Sequence, residues 1–271
     1  MRKKKGFTLI ELLVVIAIIA LLISILMPAL SAVRKQAKDI VCRANLGQWG
    51  MCLIMFADDN DGHFPENFGY SLHPYYKNVE LLLCPSATQK GTHPDTEPGD
   101  FIGGKFKAWF EQDVEFPDGK RKDVLGSYGK NSHVGGTGFS ETDKKTDWLR
   151  IDDKNLSNGP FLLDGAGSAV ALHWDEPPEY DGQIYSGYGP ISTGPKNVNE
   201  SRNFCLNRHH EAINVVFLDS HARKVGLKEL WELKFKRKNW FMNMHGFSST
   251  SPPWQFRGDP KHWMYSFRNF K

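Results

Sequence analysis

The sequence predicts an α+β chain: a long N-terminal α-helix, membrane-spanning in its first half, carrying a small antiparallel β-sheet head with long loops. Three observations carry this. The 24-residue run Phe7–Leu30 is apolar apart from Thr8, Glu11, Ser24 and the ring of Pro28, and is long enough to cross a bilayer as a helix. Beyond it the apolar residues thin to a stripe, Leu30, Val33, Ala37, Val41, Ala44, Met51 and Met55 with Gln48 among them, in steps of three and four that mark a helix. Near the other end, Ala212–Leu218 is apolar and β-branched, is closed by Asp219-Ser220, and is followed by Ala222–Val225, which reads as the returning strand of a hairpin.

The first element begins behind a charge cluster. Arg2, Lys3, Lys4 and Lys5 precede the apolar run, and cations on that side stay cytoplasmic, which sends the bulk of the chain across the membrane. The run is longer than the apolar core of a secretory signal peptide, and no small-residue cleavage site follows it. Glu11 lies inside it. An ionisable group in such a segment costs a few kcal/mol and marks function by default. The plain alternative is that Glu11 sits near the helix start, where the macrodipole favours an anion.

Lys5-Gly6-Phe7-Thr8-Leu9-Ile10-Glu11-Leu12-Leu13-Val14 resembles the N-terminal signal of type IV pilins and type II secretion pseudopilins. The resemblance covers about the first thirty residues and implies a pilin-like fold. It implies cleavage between Gly6 and Phe7 by a prepilin peptidase, with methylation of Phe7. Glu11 is then fifth in the mature chain, where the family's carboxylate meets the terminal amine of a neighbouring subunit; a buried charge is tolerable when paired. Pro28 stands where family members often carry a helix-kinking proline. The divisions expected are a leader at 1–6, a transmembrane or filament-core helix at 7–30, an amphipathic continuation at 31–57 and a head at 58–271, single-pass in the inner membrane with the head outside.

The whole helix is expected from Phe7 to about Ala57, roughly 75 Å at 1.5 Å per residue, with Gly47 and Gly50 weakening it locally. Asp58-Asp59-Asn60-Asp61-Gly62 reads as a helix stop with Asx turns rather than a calcium loop, since the ligand spacing fails. Cys42-Arg43-Ala44-Asn45-Leu46 and Phe56–Pro65 resemble a pilin-like subgroup that carries a C-terminal H-x9-DG element. His209 and Asp219 match it, but Ser220 replaces the glycine, which leaves the turn type open. From Pro65 to Asn203 the chain is rich in glycine and proline; short strand-like runs stand at Glu80–Leu83, Gly159–Leu163 and Val170–Leu172, and Pro117-Asp118-Gly119 signals a turn. Gly226–Phe235 suggests a short helix.

Composition is that of a globular chain: 271 residues, 40% apolar and 24% charged. The net charge of +3 hides an asymmetry. Ala222–Lys271 holds eleven Lys/Arg against three Asp/Glu, and with the leader's four cations set aside, residues 7–221 are strongly acidic. That suggests complementary subunits or an acidic partner. The tail residues Lys234, Lys236, Arg237, Lys238, Trp240, Trp254, Arg257 and Trp263 form a pattern that suits stacking and phosphate contacts to single-stranded DNA, although aromatics of this kind also pack cores.

Catalytic signatures are missing: there is no G-x-S-x-G, no H-E-x-x-H and no complete P-loop. No cofactor is expected, a structural metal ion apart. His209, His210, Asp219 and His221 are the metal candidates by residue type, although a strand separates the first pair from the second. Cys42, Cys52, Cys84 and Cys205 fall on the oxidising side of the membrane. Cys42 and Cys52 are too far apart along one helix to bond each other. Two connectivities remain for a fully paired chain, with Cys42–Cys84 and Cys52–Cys205 favoured. The function expected is a filament subunit, not an enzyme, whose partners are the peptidase, other pilin-like subunits and, before assembly, membrane lipid. A surface binding module for polysaccharide or DNA and an anchored metalloenzyme are the alternatives.

Overall fold

The structure is a computed structural model; the residues it describes are 8–66, 71–76, 78–90, 100–101, 103–116, 119–136, 147–167, 169–170, 203–235, 237, 264 and 267. It divides into two compact units, Met1–Lys38 and Asp39–Lys271. One helix, α1 (Leu9–Asp59), contributes to both, with Pro28 inside it. Proline lacks the N–H that would meet the Ser24 carbonyl one turn back.

In the first unit, the described helix exposes its apolar side chains on every side, from Leu9 at 78% to Val33 at 59%. In the second unit, α1 buries a single face: Cys42, Leu46, Trp49, Cys52, Leu53 and Ala57. The apolar stripe read from the sequence does not coincide with this face. Val41, Met51 and Met55 are exposed, because the bulky Trp49, set between leucines at 46 and 53, defines the face that packs. The two glycines also differ. A Cβ at Gly47 would meet nothing within 4 Å, whereas one at Gly50 would stand 2.7 Å from the carbonyl oxygen of Ser220. Gly50 is where the hairpin turn seats against the helix, and Ser220 makes that turn at φ 71, a left-handed conformation that costs a non-glycine residue some strain. The helix ends as expected: Gly62 N–H returns to the Ala57 carbonyl at 2.8 Å, at φ 79, a 6→1 bond of the Schellman type.

Among the described residues two sheets build the head, where one was expected. In the first, β3 (Lys107–Glu115) is central. It pairs antiparallel with β4 (Arg121–Gly126) and β2 (Asp100–Phe101), and parallel with β1 (Gln89–Lys90). The second has the order β7-β5-β6-β8-β9: Ala169–Val170, Tyr128–Asn131, Pro160–Asp164, Ala212–Phe217 and Ala222–Gly226. All its pairings are antiparallel except β5 with β7. The β8–β9 hairpin and the β6 strand stand where the sequence placed them. Glu80–Leu83 does not form a strand; Val79–Leu82 is a 3-10 turn capped by the Asn78 side chain on Glu80 N–H. Gly226–Phe235 holds only a 3-10 turn, Glu229–Glu232. Of the run Val170–Leu172, only Val170 lies among the described residues.

Strand β8 is buried along its whole length, which explains its nearly unbroken apolar sequence. Val216 and Leu218 join the core made with α1. Ile213, Val215 and Phe217 point into a second core with Phe204, Leu227, Leu230 and Phe235. Asn214 is the polar exception; its amide donates to Asp39 Oδ1 at 2.7 Å.

Candidate functional site

At the N-terminus, Glu11 falls in the first turn of α1. Thr8 donates to Glu11 Oε2 through both its N–H and its hydroxyl, each at 2.8 Å, and Glu11 N–H donates to Thr8 Oγ1 at 3.3 Å. This is a capping box, signalled by Thr-x-x-Glu in the sequence. The carboxylate is exposed and held at the positive end of the helix. Gly6 and Phe7 lie outside the described residues.

A second constellation lies in the head. Cys42 comes from α1, Cys84 follows the Val79–Leu82 turn, Asp164 ends β6, and His209 stands just before β8. All four are buried, and their thiol, carboxylate and imidazole atoms lie within 4.8 Å of one another. His209 Nε2 is 3.1 Å from Asp164 Oδ2 and 3.3 Å from Cys84 Sγ. Cys42 Sγ is 3.7 and 3.9 Å from the two Asp164 oxygens and accepts from the Tyr128 hydroxyl at 3.2 Å.

Neighbouring groups fix the set. Arg208 Nη1 donates to Asp164 Oδ1 at 2.8 Å, and both side chains are fully buried. Its other N–H groups reach the carbonyls of Ser127, Gly104 and Lys105. Asn214 N–H donates to Asp164 Oδ2 at 2.8 Å, and His209 Nδ1 faces Asp39 Oδ1 at 3.5 Å.

The electrostatics follow from this crowding. Burial alone would raise the Asp164 carboxyl, but His209 and Arg208 hold it far below the usual carboxylate range. Burial would lower His209; Asp164, then Cys84, raise it to about 10. Burial pushes both thiols up. Cys42 stays raised, whereas hydrogen bonds from Cys42 and His209 and the charge of Arg208 bring Cys84 down to about 6. The two thiols are therefore shifted in opposite directions.

The four metal candidates of the sequence do not come together. His209 belongs to the buried cluster, while Asp219 and His221 lie at the far end of β8, on its turn. There His221 Nδ1 pairs with Asp219 Oδ1 at 2.5 Å and its ring stacks on Phe217. His210 is exposed at φ 58. A strand of six residues keeps the two groups apart. The structure forms neither expected disulfide. Cys42 and Cys84 do face each other, but Cys52 donates to the Tyr75 carbonyl and Cys205 sits against Met264 in the other core. Of the basic tail, Arg237 is bound to Asp153 at 2.9 Å, and Lys236, Lys238, Trp240, Trp254, Arg257 and Trp263 lie outside the described residues.

Asp164 and Arg208 are not among the residues that the sequence singles out. Their signal was a carboxylate closing an apolar strand, Pro160–Asp164, and an arginine beside the histidine of the H-x9-D element.

Comparison with known proteins adds two findings. Residues 1–27 match the family model for the prokaryotic N-terminal methylation motif. The chain is also 51% identical over 63 residues to the type IV wide pilus major component PilA4 of Thermus thermophilus. Residues 1–27 thus carry the methylation motif, and part of the chain is similar to a type IV pilin. The match spans 23% of this chain and about half, 48%, of that pilin's length. No solved structure matches the chain. The H-x9-DG-like element stands on the sequence resemblance alone.

Proposed function

We propose that this pilin-like chain is a structural subunit of a type IV pilus-like or type II secretion pseudopilus filament. The observation that carries the reading is the arm. From Leu9 to Val33 its large apolar side chains are exposed on all sides, so the segment needs lipid or the helices of other subunits around it. The methylation motif stands at its start.

A prepilin peptidase would cut after Gly6 and methylate Phe7, and the new amine would meet Glu11 of a neighbour. The four leader cations hold the uncut N-terminus in the cytoplasm and put the head on the outer side of the inner membrane. Pro28 bends the helix between its lipid-facing start and the head. Assembly moves the arm from lipid into a filament core, and the chain itself performs no catalysis. Exposed Val41, Met51 and Met55 extend the apolar surface available to neighbouring subunits beyond the arm.

The test is intact mass and N-terminal sequencing of the protein from its native membrane. The expected product starts at methylated Phe7. A chain still starting at Met1 would make the N-terminus an anchor alone and would overturn the filament reading.

A further inference from the structure

We propose that Cys42 Sγ, Cys84 Sγ, His209 Nε2 and one Asp164 oxygen form a structural metal site in the head, of the kind that takes zinc.

Geometry is the first argument. Zinc bonds sulfur at about 2.3 Å and nitrogen or oxygen at about 2.0–2.2 Å, so tetrahedral donors stand about 3.3–3.8 Å apart. The pairs here lie at 3.1 Å (His209 with Asp164), 3.3 Å (His209 with Cys84) and 3.7 Å (Cys42 with Asp164). Three of the six donor pairs therefore stand near the edges of a zinc tetrahedron, and all six lie within 4.8 Å.

The surroundings are the second. Metal-bound histidine usually gives its other N–H to a carboxylate, and metal-bound carboxylates are themselves hydrogen-bonded. His209 Nδ1 faces Asp39, and Asp164 accepts from Arg208 and from Asn214 N–H. Tyr128 O–H donates to Cys42 Sγ, as a hydroxyl does to a thiolate.

Charge is the third. Coordination needs two thiolates, a carboxylate and a neutral imidazole. With a divalent ion and the Arg208 guanidinium the buried charges sum to zero. Uptake oxidises and reduces nothing.

The donor set selects the ion. Thiolate and imidazole favour zinc over magnesium or calcium. Four protein ligands with no open position make the site structural rather than catalytic. It would join α1, the Cys84 segment, β6 and the start of β8 at one point, closing loops with 41, 79 and 44 residues between Cys42, Cys84, Asp164 and His209 in turn. This inference concerns the head alone and stands apart from the filament reading, which is judged on the N-terminus.

The experiment uses the full chain, extracted in detergent from its native membrane without chelator or reductant. Zinc per chain is measured by elemental analysis, and intact mass is read before and after alkylation in denaturant. The expected result is stoichiometric zinc with Cys42 and Cys84 both alkylated. Exchange with cobalt(II) should give the visible spectrum of a tetrahedral thiolate complex. Cys84→Ser and His209→Ala should lose the metal, and His221→Ala should keep it. A metal-free wild-type chain would overturn the proposal, whether Cys42 and Cys84 are found as a disulfide or as thiols. So would zinc retained in full by folded Cys84→Ser. Because the wild-type metal content decides, misfolding of a variant leaves the test intact. The same mass spectrum reads the N-terminus, so failure here and failure of the filament reading are separately visible.

Discussion

Leu9–Lys38 and Asp39–Asp59 are one helix by hydrogen bonding and two by composition. The first stretch is apolar on nearly all sides until Arg34 and buries none of its described side chains. The second carries charges, and its buried residues keep to one face. Helix propensity does not separate them; what surrounds them does. The head supplies the environment of the second stretch from its own sheet and turns. The first stretch buries nothing among the described residues.

The largest effect should come from the arm. Glu11→Val should leave the protein inserted in the membrane and abolish filaments, read by shearing and electron microscopy; a wild-type filament yield would remove the distinction drawn here. In the head, Trp49 is fully buried and donates to the Leu81 carbonyl at 2.8 Å. Trp49→Ala should cost about 3–5 kcal/mol in chemical unfolding, while Ile16→Ala should leave that transition where it was.

Only the head should show a buried-amine titration. Lys130 donates to the carbonyls of Pro65, Glu66 and Val134, and burial brings its ammonium down to about 8 against the pull of Asp147 and Glu66. Its folded value lies below its unfolded one. The penalty is therefore complete below pH 8 and fades as pH rises toward 10.5, where the unfolded chain still holds the proton. The stability difference between wild type and Lys130→Met should shift in favour of wild type by about 3 kcal/mol across that window; a difference independent of pH would refute the assignment.

The two helix glycines give the finest test. Gly50→Ala should destabilise by about 1–3 kcal/mol through the clash with Ser220, and Gly47→Ala should stabilise by up to about 1 kcal/mol. Equal effects at both positions would mean that the turn does not seat on the helix.

How much could be read beforehand follows from the same contrast. The arm is legible because its pattern needs no partner: an apolar run, a cationic flank and a methylation motif are all local. The β8–β9 hairpin is legible because both faces of β8 are buried, which makes its sequence plainly apolar. The buried face of α1 is not legible from an apolar stripe carried over from Leu30, since the head selects Trp49 and Leu53 over Met51 and Met55. Strands β3 and β4 hide for another reason. Lys107–Glu115 mixes charges with aromatics, and a bulge at Asp113, with φ 56 and a register shift between Glu111 and Val114, breaks the alternation. The cluster at Cys42, Cys84, Asp164 and His209 comes from four separate stretches, and only the tertiary fold brings them together.

Strand β8 divides two cores, with Val216 and Leu218 on one side and Ile213, Val215 and Phe217 on the other. Side chains alternate strictly along a strand, so inserting or deleting one residue between Ala212 and Asn214 would turn every later one over. Both cores would lose their fillings to each other in a single step, and Asn214, now bonded to Asp39, would face the wrong one. Length, more than the identity of any one side chain, is thus what the start of this strand must preserve.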